Sequence, residues 1–488
     1  MDQAVFLRGE TWGFGGQPVE HIETHAAHVF LVGDRAFKMK KAVKLPYLDF
    51  STIEKRRAVL AHELEINRPF APSVYLRIDE IRGEPVLVMK RFDQQALLSS
   101  TAGGITDATA KELARMVAES HVIAPQRDTP GSEIMAGLGL QLSKAFADSP
   151  DIFPVDEAGK FELLNEAHLT RLRPLLDQRS AQRLVRRCHG DMHCGNIVLL
   201  EGKPTLFDAI EFSEKIATID VLYDLAFLLM DLGRRGEKRV ANLVFNRYLH
   251  LRRAEEDLSG LAALPLFLAT RAGVRALVAA DLAHELAADD STIQRKEALE
   301  YFQASLAWLK PAPPRLVCVG GLSGSGKSTL AARLAHDIGL APGALHVRSD
   351  VERKVMAGVD ETMHLPPESY SAAASAATYE AIFQRAGAAL KAGHSVVLDA
   401  VFANEGERDA AQELAKSLNV RFTGLWLAAP PDVLKSRVME RKGDASDADV
   451  AVVEKQLGYQ PGEIRWEKVD ASGSLNASEA LVRKILQL

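Results

Sequence analysis

The sequence predicts two folded parts in series. The first is an α+β part with a small β-rich lobe and a larger helical lobe, and the second is an α/β part whose parallel sheet is covered by helices. Three observations support this prediction. The 488 residues exceed what one hydrophobic core usually organises. A proline-rich joint at residues 310–314 follows a long helical pattern. Beyond the joint, strand and helix patterns alternate.

The composition is typical of a globular protein, with 47% apolar and 25% charged residues. The net charge of −6 and the lack of a basic stripe argue against a nucleic-acid partner, although a short oligonucleotide end stays open. Three cysteines suit a reducing compartment. The start lacks a secretory signal pattern, and charges interrupt the apolar stretch 261–283, which we expect to be a buried helix. We therefore expect a cytoplasmic protein without membrane association, and the sequence makes no prediction about its oligomeric state.

Local patterns place the elements of each part. In the first part, residues 1–310, the small lobe covers about 1–95 and the helical lobe about 96–310. A hairpin turn at residues 33–34, between two apolar runs, is the clearest strand signal of the small lobe, and a second two-strand signal covers 197–207. The second part, residues 315–488, has strand patterns at 316–320, 345–348, 395–398, 422–427 and 468–470.

The second part opens with a phosphate-binding motif. The run GLSGSGKS, residues 321–328, matches the pattern G-x-x-x-x-G-K-[ST] and lies between a strand and a helix pattern. Its glycines let successive amides face a phosphate chain, Lys327 supplies positive charge, and Ser328 offers a hydroxyl to Mg²⁺. The predicted cofactors are ATP and Mg²⁺. The predicted nucleotide-binding residues are Gly321, Ser323, Gly324, Ser325, Gly326, Lys327, Ser328 and Thr329.

Charged residues near the ends of later elements predict the rest of this site. Asp399 ends a strand, where a carboxylate near Mg²⁺ would lie. Asp350 ends another strand, with Arg353 three residues later. Arg437 and Arg441 are four residues apart on a helical pattern, so they share a face that suits a phosphate clamp. The alternatives are a helix N-cap for Asp350 and a solvated helix face for the two late arginines.

These features resemble the small P-loop kinases, a group that includes gluconate kinase, the zeta-toxin kinases and the polynucleotide 5′-kinases. The resemblance covers the second part of the chain. It implies that Asp350 is the base that takes the proton of the acceptor hydroxyl, and that Arg353 contacts substrate or phosphate. Residues 443–449, rich in Asp, Ser and Gly, are expected to form the mobile tip of a lid.

The strongest motif of the first part is HGDMHCGN, residues 189–196. Asp191 and Asn196 are five positions apart, as the Asp and Asn of the protein-kinase catalytic loop are. Asp208 follows a predicted hairpin, where a second magnesium-binding acid is expected. Asp220 and Asp224 follow on the next helix and are expected to brace the loop. A zinc cluster of the neighbouring cysteines and histidines is disfavoured because a second ligand segment is missing.

This motif resembles the aminoglycoside phosphotransferase and choline kinase family, whose members share the protein-kinase fold. The resemblance implies that Asp191 is the catalytic base and that Asn196 and Asp208 hold Mg²⁺. A catalytically inactive version of the loop is the alternative. A glycine-rich phosphate loop of the protein-kinase type is absent from the sequence.

The nucleotide-binding lysine of the small lobe is either Lys38 or Lys40, because both lie on the same face of a predicted strand. Glu63 is the expected ion-pair partner, with Glu65 as its rival.

Together, the two resemblances predict an ATP- and Mg²⁺-dependent phosphotransferase that acts on a hydroxyl of a small polar metabolite. The alternative is a nucleotide-sensing regulatory protein, in which one ATP-binding domain gates the other without turnover. A third idea, a kinase of cationic aminoglycosides, would need an acidic pocket near Glu211 and Glu214.

Overall fold

The computed structural model describes residues 3–24, 26–45, 48–101, 104–286, 290–310, 312–440 and 445–488. The strands are β1 (Glu20–Glu23), β2 (Ala27–Val32), β3 (Arg35–Lys40), β4 (Lys44–Leu45), β5 (Leu48–Asp49), β6 (Tyr75–Ile81), β7 (Glu84–Lys90), β8 (Val185–Arg187), β9 (Ile197–Leu200), β10 (Lys203–Leu206), β11 (Thr218–Asp220), β12 (Arg315–Gly321), β13 (Leu345–Arg348), β14 (Val396–Asp399), β15 (Arg421–Ala428) and β16 (Glu467–Asp470).

The α-helices are α1 (Gln3–Phe6), α2 (Ile53–Asn67), α3 (Asp107–Ile123), α4 (Gly131–Asp148), α5 (Val155–Ala181), α6 (Glu214–Ala217), α7 (Val221–Arg234), α8 (Lys238–Arg252), α9 (Glu255–Gly260), α10 (Leu264–Glu285), α11 (Thr292–Leu309), α12 (Lys327–Leu334), α13 (Ser349–Met356), α14 (Ala372–Lys391), α15 (Glu405–Ser417), α16 (Pro431–Glu440), α17 (Val450–Leu457) and α18 (Leu475–Leu486). Short 3-10 turns connect several of them.

The chain forms two compact units. The first unit comprises residues 1–135 and 176–231, and the second comprises residues 136–175 and 232–488. The helices from residue 232 to the proline joint therefore group with the P-loop part, and the joint as a domain boundary stays a prediction.

The first unit contains a five-stranded antiparallel sheet in the order β1-β2-β3-β7-β6. The predicted hairpin is confirmed, since β2 and β3 pair from Ala27 with Lys40 to Val32 with Arg35. Gly33 makes the turn possible, because its φ is +55° and an added Cβ would lie 2.5 Å from the ring of Phe14. One face of this sheet packs on an aromatic core that includes Trp12.

Two short antiparallel pairs frame the HGDMHCGN loop of the first unit. Strand β8 pairs with β11, and β9 pairs with β10, which confirms the predicted two-strand signal at residues 197–207. The loop leaves β8 and enters β9 through a 3-10 turn at Cys194–Asn196. The motif residues therefore lie on a connection that is held at both ends by strand pairing.

The second unit contains a five-stranded parallel sheet in the order β13-β14-β12-β15-β16. The five predicted strands are confirmed to within a residue or two at their ends. The sheet packs on α12 and α18 through a buried apolar core. Because parallel strands end at one edge, the phosphate-binding loop, Asp350 and Asp399 all follow strand ends on the same edge, where α/β proteins bind ligands.

Among the described residues, the stretch 255–285 is the one long and apolar enough to cross a membrane by length and composition, and 67% of its most apolar window is buried. It contains α10, which packs closely against α11. The hydroxyl of Ser305 on α11 donates to the carbonyl of Ala269 at 2.7 Å. The expected buried helix is confirmed.

Candidate active sites

Two lysines of the first unit share one buried glutamate. The Nζ of Lys38 lies 2.6 Å from Glu63 Oε1 and 2.9 Å from Asp208 Oδ1. The Nζ of Lys40 lies 2.8 Å from Glu63 Oε2 and 2.6 Å from Glu211 Oε1. The side chain of Glu63 is fully buried between them. The ion-pair partner of the two lysines is therefore Glu63 rather than Glu65. Only Lys38 of the pair also reaches the predicted metal-binding Asp208.

The charges of this network stabilise one another. Burial raises the pKa of Glu63, but the charges of Lys38 and Lys40 outweigh it and hold that pKa below its usual value. The charge of Lys38 lowers the pKa of Asp208. Burial lowers the pKa of Lys38, yet the two carboxylates raise it well above its ordinary value. Lys38, Glu63 and Asp208 are therefore ionised at neutral pH and compensate one another.

The predicted catalytic loop brings Asp191 and Asn196 into direct contact. The side-chain amide of Asn196 donates to Asp191 Oδ2 at 2.9 Å and to the Asp191 carbonyl at 3.0 Å. The side chain of Asp191 is 39% exposed, and His193 Nε2 lies 3.5 Å from the same oxygen. Asp208 adopts a φ of +59°, and its backbone N–H donates to the hydroxyl of Tyr75 at 2.9 Å. An acceptor hydroxyl could approach Asp191 from solvent, with Asn196 beside it.

Acidic side chains of α7 hold the catalytic loop by its backbone. Asp224 is fully buried and accepts from the Gly190 amide at 3.0 Å, so one of the two predicted braces is observed. Asp220 instead ends β11 and pairs with the buried Arg179 at 2.7 Å. A second brace that the sequence reasoning missed is Asp231, which accepts from the Cys194 amide at 2.8 Å. The sequence feature that could have indicated Asp231 is its position seven residues after Asp224, on the same face of α7.

The histidines and cysteines of the motif do not form the zinc cluster that was considered as an alternative. His189 and His193 each bond to a backbone group at 3.0 Å. In the described part of the chain, the one group of three potential metal ligands is His121, Cys188 and Asp224. Because Asp224 already accepts from the loop amide and from His121 at 3.3 Å, this group serves as a buried brace.

The acidic pocket that an aminoglycoside kinase would need is not available at Glu211 and Glu214. Lys40 neutralises Glu211. Glu214 accepts from Arg127 and from Arg187, each at 3.0 Å. Glu211 and Glu214 are therefore already paired with basic residues of the protein itself.

The phosphate-binding loop of the second unit connects β12 to α12. Gly324 has a φ of +82°, and an added Cβ would lie 2.3 Å from the carbonyl oxygen of Leu434, so only glycine fits. The Ser323 amide donates to Gln456 Oε1 at 2.8 Å, which fixes the loop. Lys327 begins α12 and is 8% exposed. The loop amides and the positive end of α12 therefore face the same space.

That space is a cavity of about 480 Å³ in front of the loop. Its lining residues are Gly324, Ser325, Gly326, Lys327, Ser328, Thr329, Leu427, Arg437, Ala471, Gly473, Ser474, Leu475 and Ser478. A larger depression of about 1090 Å³ lies between α14 and α15 and contains none of the predicted site residues. The smaller cavity is therefore the candidate nucleotide site.

Asp399 ends β14 and is 2% exposed. Within the described residues, neither of its carboxylate oxygens accepts a hydrogen bond. Burial raises its pKa, but His346 Nε2 at 3.6 Å and the charges of Arg348 and Lys327 outweigh this and lower the pKa to about 2. A buried, ionised carboxylate that accepts no hydrogen bond within the described residues fits a hydrated Mg²⁺, although Arg348 Nε lies 3.4 Å from its Oδ2.

Asp350 is the second residue of α13, directly after β13. The N-cap position of this helix is Arg348, so the alternative interpretation of Asp350 as an N-cap is wrong. Arg353 lies one turn later, where its Nη1 donates to the Ser369 carbonyl at 2.6 Å and its guanidinium stacks over Tyr370 at 4.8 Å. Both predicted residues therefore lie on one short helix, at the ligand-binding edge of the sheet.

Arg437 lines the nucleotide cavity, but its guanidinium donates to the carbonyls of Ala471 at 2.8 Å and Gly473 at 3.0 Å. It fixes the loop after β16, and a phosphate clamp by Arg437 stays a prediction. Arg441 lies outside the described residues.

Asp447 is a residue that the sequence reasoning placed only in a mobile lid tip. Its carboxylate accepts from Lys354 Nζ at 2.6 Å, from the Leu365 amide at 2.9 Å and from the Tyr370 hydroxyl at 2.6 Å. Burial raises its pKa, but these hydrogen bonds outweigh it and lower the pKa. Asp447 therefore links the described part of residues 443–449 to α13 and to the segment that follows it.

Two family models match the chain. Residues 27–264 match the model described as a phosphotransferase enzyme family, and residues 316–461 match the model described as an AAA domain. Both predicted resemblances are confirmed. The first part is kinase-like, and the second carries a P-loop kinase-like module with a five-stranded parallel sheet. Two kinase-type modules in one chain support phosphotransferase activity.

Similar proteins are known over one or both parts. An uncharacterized protein of Mycobacterium tuberculosis (strain ATCC 25618 / H37Rv) is 29% identical over 471 residues, which cover 92% of each chain. The GDP complex of aminoglycoside 2′-phosphotransferase-IIIa is 18% identical, covers 62% of this chain and 98% of that chain, and has a TM-score of 0.41. A gluconokinase from Sinorhizobium meliloti 1021 is 22% identical, covers 36% of this chain and 96% of that chain, and has a TM-score of 0.25.

Proposed function

We propose that this protein is an ATP- and Mg²⁺-dependent phosphotransferase that transfers the γ-phosphate to a hydroxyl of a small polar metabolite in the cytoplasm. The observation that carries the proposal is the edge of the parallel sheet. There, Lys327 begins a helix at a cavity of about 480 Å³, and the buried Asp399 accepts no hydrogen bond within the described residues. The two phosphotransferase-type modules support the same reaction class.

In the second unit, the loop amides and Lys327 bind the phosphates of ATP, while Ser328 and Asp399 are the residues that would hold Mg²⁺. When bound, Mg²⁺ would supply positive charge that offsets the phosphate charge. Asp350 takes the proton of the acceptor hydroxyl as its oxygen bonds to the γ-phosphorus, and ADP leaves. In the described part of the chain, no side chain pairs with the Asp350 carboxylate, which leaves it available as a base.

In the first unit, Asp191 has the corresponding role and Lys38 is the nucleotide lysine, because Lys38 of the two candidates contacts both Glu63 and Asp208. Asn196 and Asp208 are the residues that would hold Mg²⁺ there. Positioning and charge neutralisation account for most of the rate in both sites, since phosphoryl transfer needs little covalent help from the protein.

Polar groups on and after α13, the helix that carries Asp350, favour a small polar acceptor. Arg353 stacks over Tyr370, whose hydroxyl donates to Asp447. The net charge of −6 argues against a nucleic-acid substrate.

The test uses the wild-type chain, Lys327→Ala and Asp191→Ala with γ-labelled ATP, Mg²⁺ and a bacterial small-metabolite extract. Labelled products are then separated by chromatography. We expect a labelled metabolite whose formation falls by roughly a thousandfold in one variant and persists in the other, because each variant disables one module.

Labelled products that are unchanged in both variants would contradict the two-site proposal. Tight ATP binding without any labelled product would favour the nucleotide-sensing regulator instead.

A further inference from the structure

Helix α8 lies within the segment that matches the phosphotransferase family, yet it packs in the second unit against the P-loop module. Its neighbours there include β13, which is the outermost strand of the parallel sheet. An outer strand leaves backbone groups without strand partners, and proteins cover such edges. Helix α8 therefore contacts the edge strand that is directly followed by α13, the helix that contains Asp350.

Two asparagines of α8 satisfy the free edge of β13. Asn246 Oδ1 accepts from the His346 amide at 2.7 Å, and Asn246 Nδ2 donates to the Ala344 carbonyl at 3.2 Å. Asn242 Nδ2 donates to the same carbonyl at 3.0 Å. The side-chain amide of Asn246 thus replaces a neighbouring strand, because it offers one donor and one acceptor to the edge.

The residue that follows α8 reaches the next element, α13. Arg253 Nη1 lies 2.8 Å from Glu352 Oε1 and 3.0 Å from Glu352 Oε2. Arg385 Nε lies 3.2 Å from Glu352 Oε1 on another side. The Glu352 side chain is 9% exposed, so it depends on these arginines for charge compensation.

Glu352 lies on the eight-residue helix that carries Asp350 and Arg353. A shift of about 1 Å in a reacting group can cost roughly a hundredfold in rate. We propose that Arg253 is a positioning residue of the P-loop site, an inference that rests on the proposed function. Arg253 acts through Glu352 on the helix that carries the base Asp350. Arg253 lies within residues 27–264, which match the phosphotransferase family model, so this segment contributes a positioning residue to the second site.

The test measures the second site alone, in a full chain that carries Asp191→Ala, which removes the base of the first site, and Lys38→Met, which removes its nucleotide lysine. Product formation from γ-labelled ATP and the small-metabolite extract reports catalysis, and titration with a fluorescent ATP analogue reports nucleotide affinity. We expect Arg253→Ala to lower the rate at saturating ATP by about tenfold to a hundredfold. Nucleotide affinity should change less than about twofold, since the phosphate-binding loop keeps its contacts. Arg253→Lys, which keeps the charge, should restore part of the rate.

The matched control is Arg234→Ala. Arg234 lies in the same unit, is 27% exposed compared with 24% for Arg253, and bonds to Glu300 at 2.8 Å without contacting α13. Arg234→Ala should leave the rate unchanged. A wild-type rate in Arg253→Ala, or equal losses in Arg253→Ala and Arg234→Ala, would overturn the inference.

Hydrogen–deuterium exchange separates failure of this inference from failure of the proposed function. If the wild-type chain transfers no phosphate, the proposed function fails while the positioning role is still measured. Arg253→Ala should then speed exchange in residues 345–356 by at least about tenfold and leave residues 321–334 unchanged, because only α13 loses its anchor. Unchanged exchange in both segments would reject the positioning role.

Discussion

The two candidate sites hold their acidic residues in opposite ways. In the first unit, Asp208 is paired with Lys38, and Asp191 accepts from Asn196. In the second unit, Asp399 is buried with both oxygens free of hydrogen bonds in the described part of the chain. The acids of the first site are thus held by direct hydrogen bonds, whereas Asp399 is compensated at longer range, by Arg348 Nε at 3.4 Å and His346 Nε2 at 3.6 Å.

This difference teaches what each site needs from its ligand. In the proposed first site, a cation at Asp208 would compete with the ion pair between Lys38 and Asp208. In the second unit, Asp399 accepts no hydrogen bond within the described residues, so a cation there would weaken only its longer contacts with Arg348 and His346. We therefore expect stronger Mg²⁺ dependence of nucleotide affinity in the second unit.

Asp399→Asn should have the largest effect on this comparison. The amide keeps the shape of the side chain but removes the charge, so phosphate transfer by the second site should fall by roughly a hundredfold to a thousandfold. Fluorescent ATP-analogue titrations with Mg²⁺ and with EDTA, in a background with Asp191→Ala and Lys38→Met, measure the cause. The variant should lose the gain in affinity that Mg²⁺ gives the wild-type protein. An undiminished gain would show that Asp399 does not serve the metal.

The two lysines of the first unit give the next largest effect. In the Lys327→Ala background, Lys38→Met should lower phosphate transfer by about a hundredfold, because it removes the group that contacts both Glu63 and Asp208. Lys40→Met should lower it by about tenfold or less, since Lys40 acts on the site through Glu63 and Glu211. The measurement is the initial rate of labelled product. A larger loss in Lys40→Met would reverse the assignment of the nucleotide lysine.

The sequence predicted much of this molecule because local patterns determined it. The motif GLSGSGKS requires a strand, a tight loop and a helix, and the structure has all three. The turn at Gly33 and the parallel strands were also readable from hydrophobic periodicity and turn chemistry. The spacing of Asp191 and Asn196 predicted a loop like the protein-kinase catalytic loop, and in the structure the Asn196 amide lies 2.9 Å from Asp191 Oδ2.

What the sequence could not predict depends on contacts between distant segments. Asp447 and Lys354 are 93 positions apart, and no local pattern indicates that they pair. The choice between Lys38 and Lys40 also required the position of Asp208, which is 170 residues from Lys38. Arg253 and Glu352 are 99 positions apart, and no local pattern indicates that they pair. Such pairs are fixed by the packing of whole elements, which a single sequence does not specify.

The smallest expected effect concerns the stability of the second unit, where His394 is buried and bonds to the Gly343 carbonyl at 2.9 Å. Burial lowers the pKa of His394 to about 4, although the hydrogen bond to Gly343 opposes the shift. The unfolded chain, with a histidine pKa of about 6.5, binds this proton first as the pH falls. The stabilisation is therefore complete above pH of about 6.5 and is lost as the pH falls through the window toward about 4.

Between pH 8 and pH 5.5, this residue should account for the loss of about 1 kcal/mol of unfolding free energy. His394→Gln keeps a hydrogen-bond donor and does not titrate, so its stability should depend less on pH by that amount. Urea unfolding of both proteins at the two pH values measures the difference. Because His394 lies in the second unit, the change should be confined to the transition that releases the parallel sheet. Parallel pH profiles for the two proteins would mean that His394 is protonated in the folded chain, which its burial against Phe245 argues against.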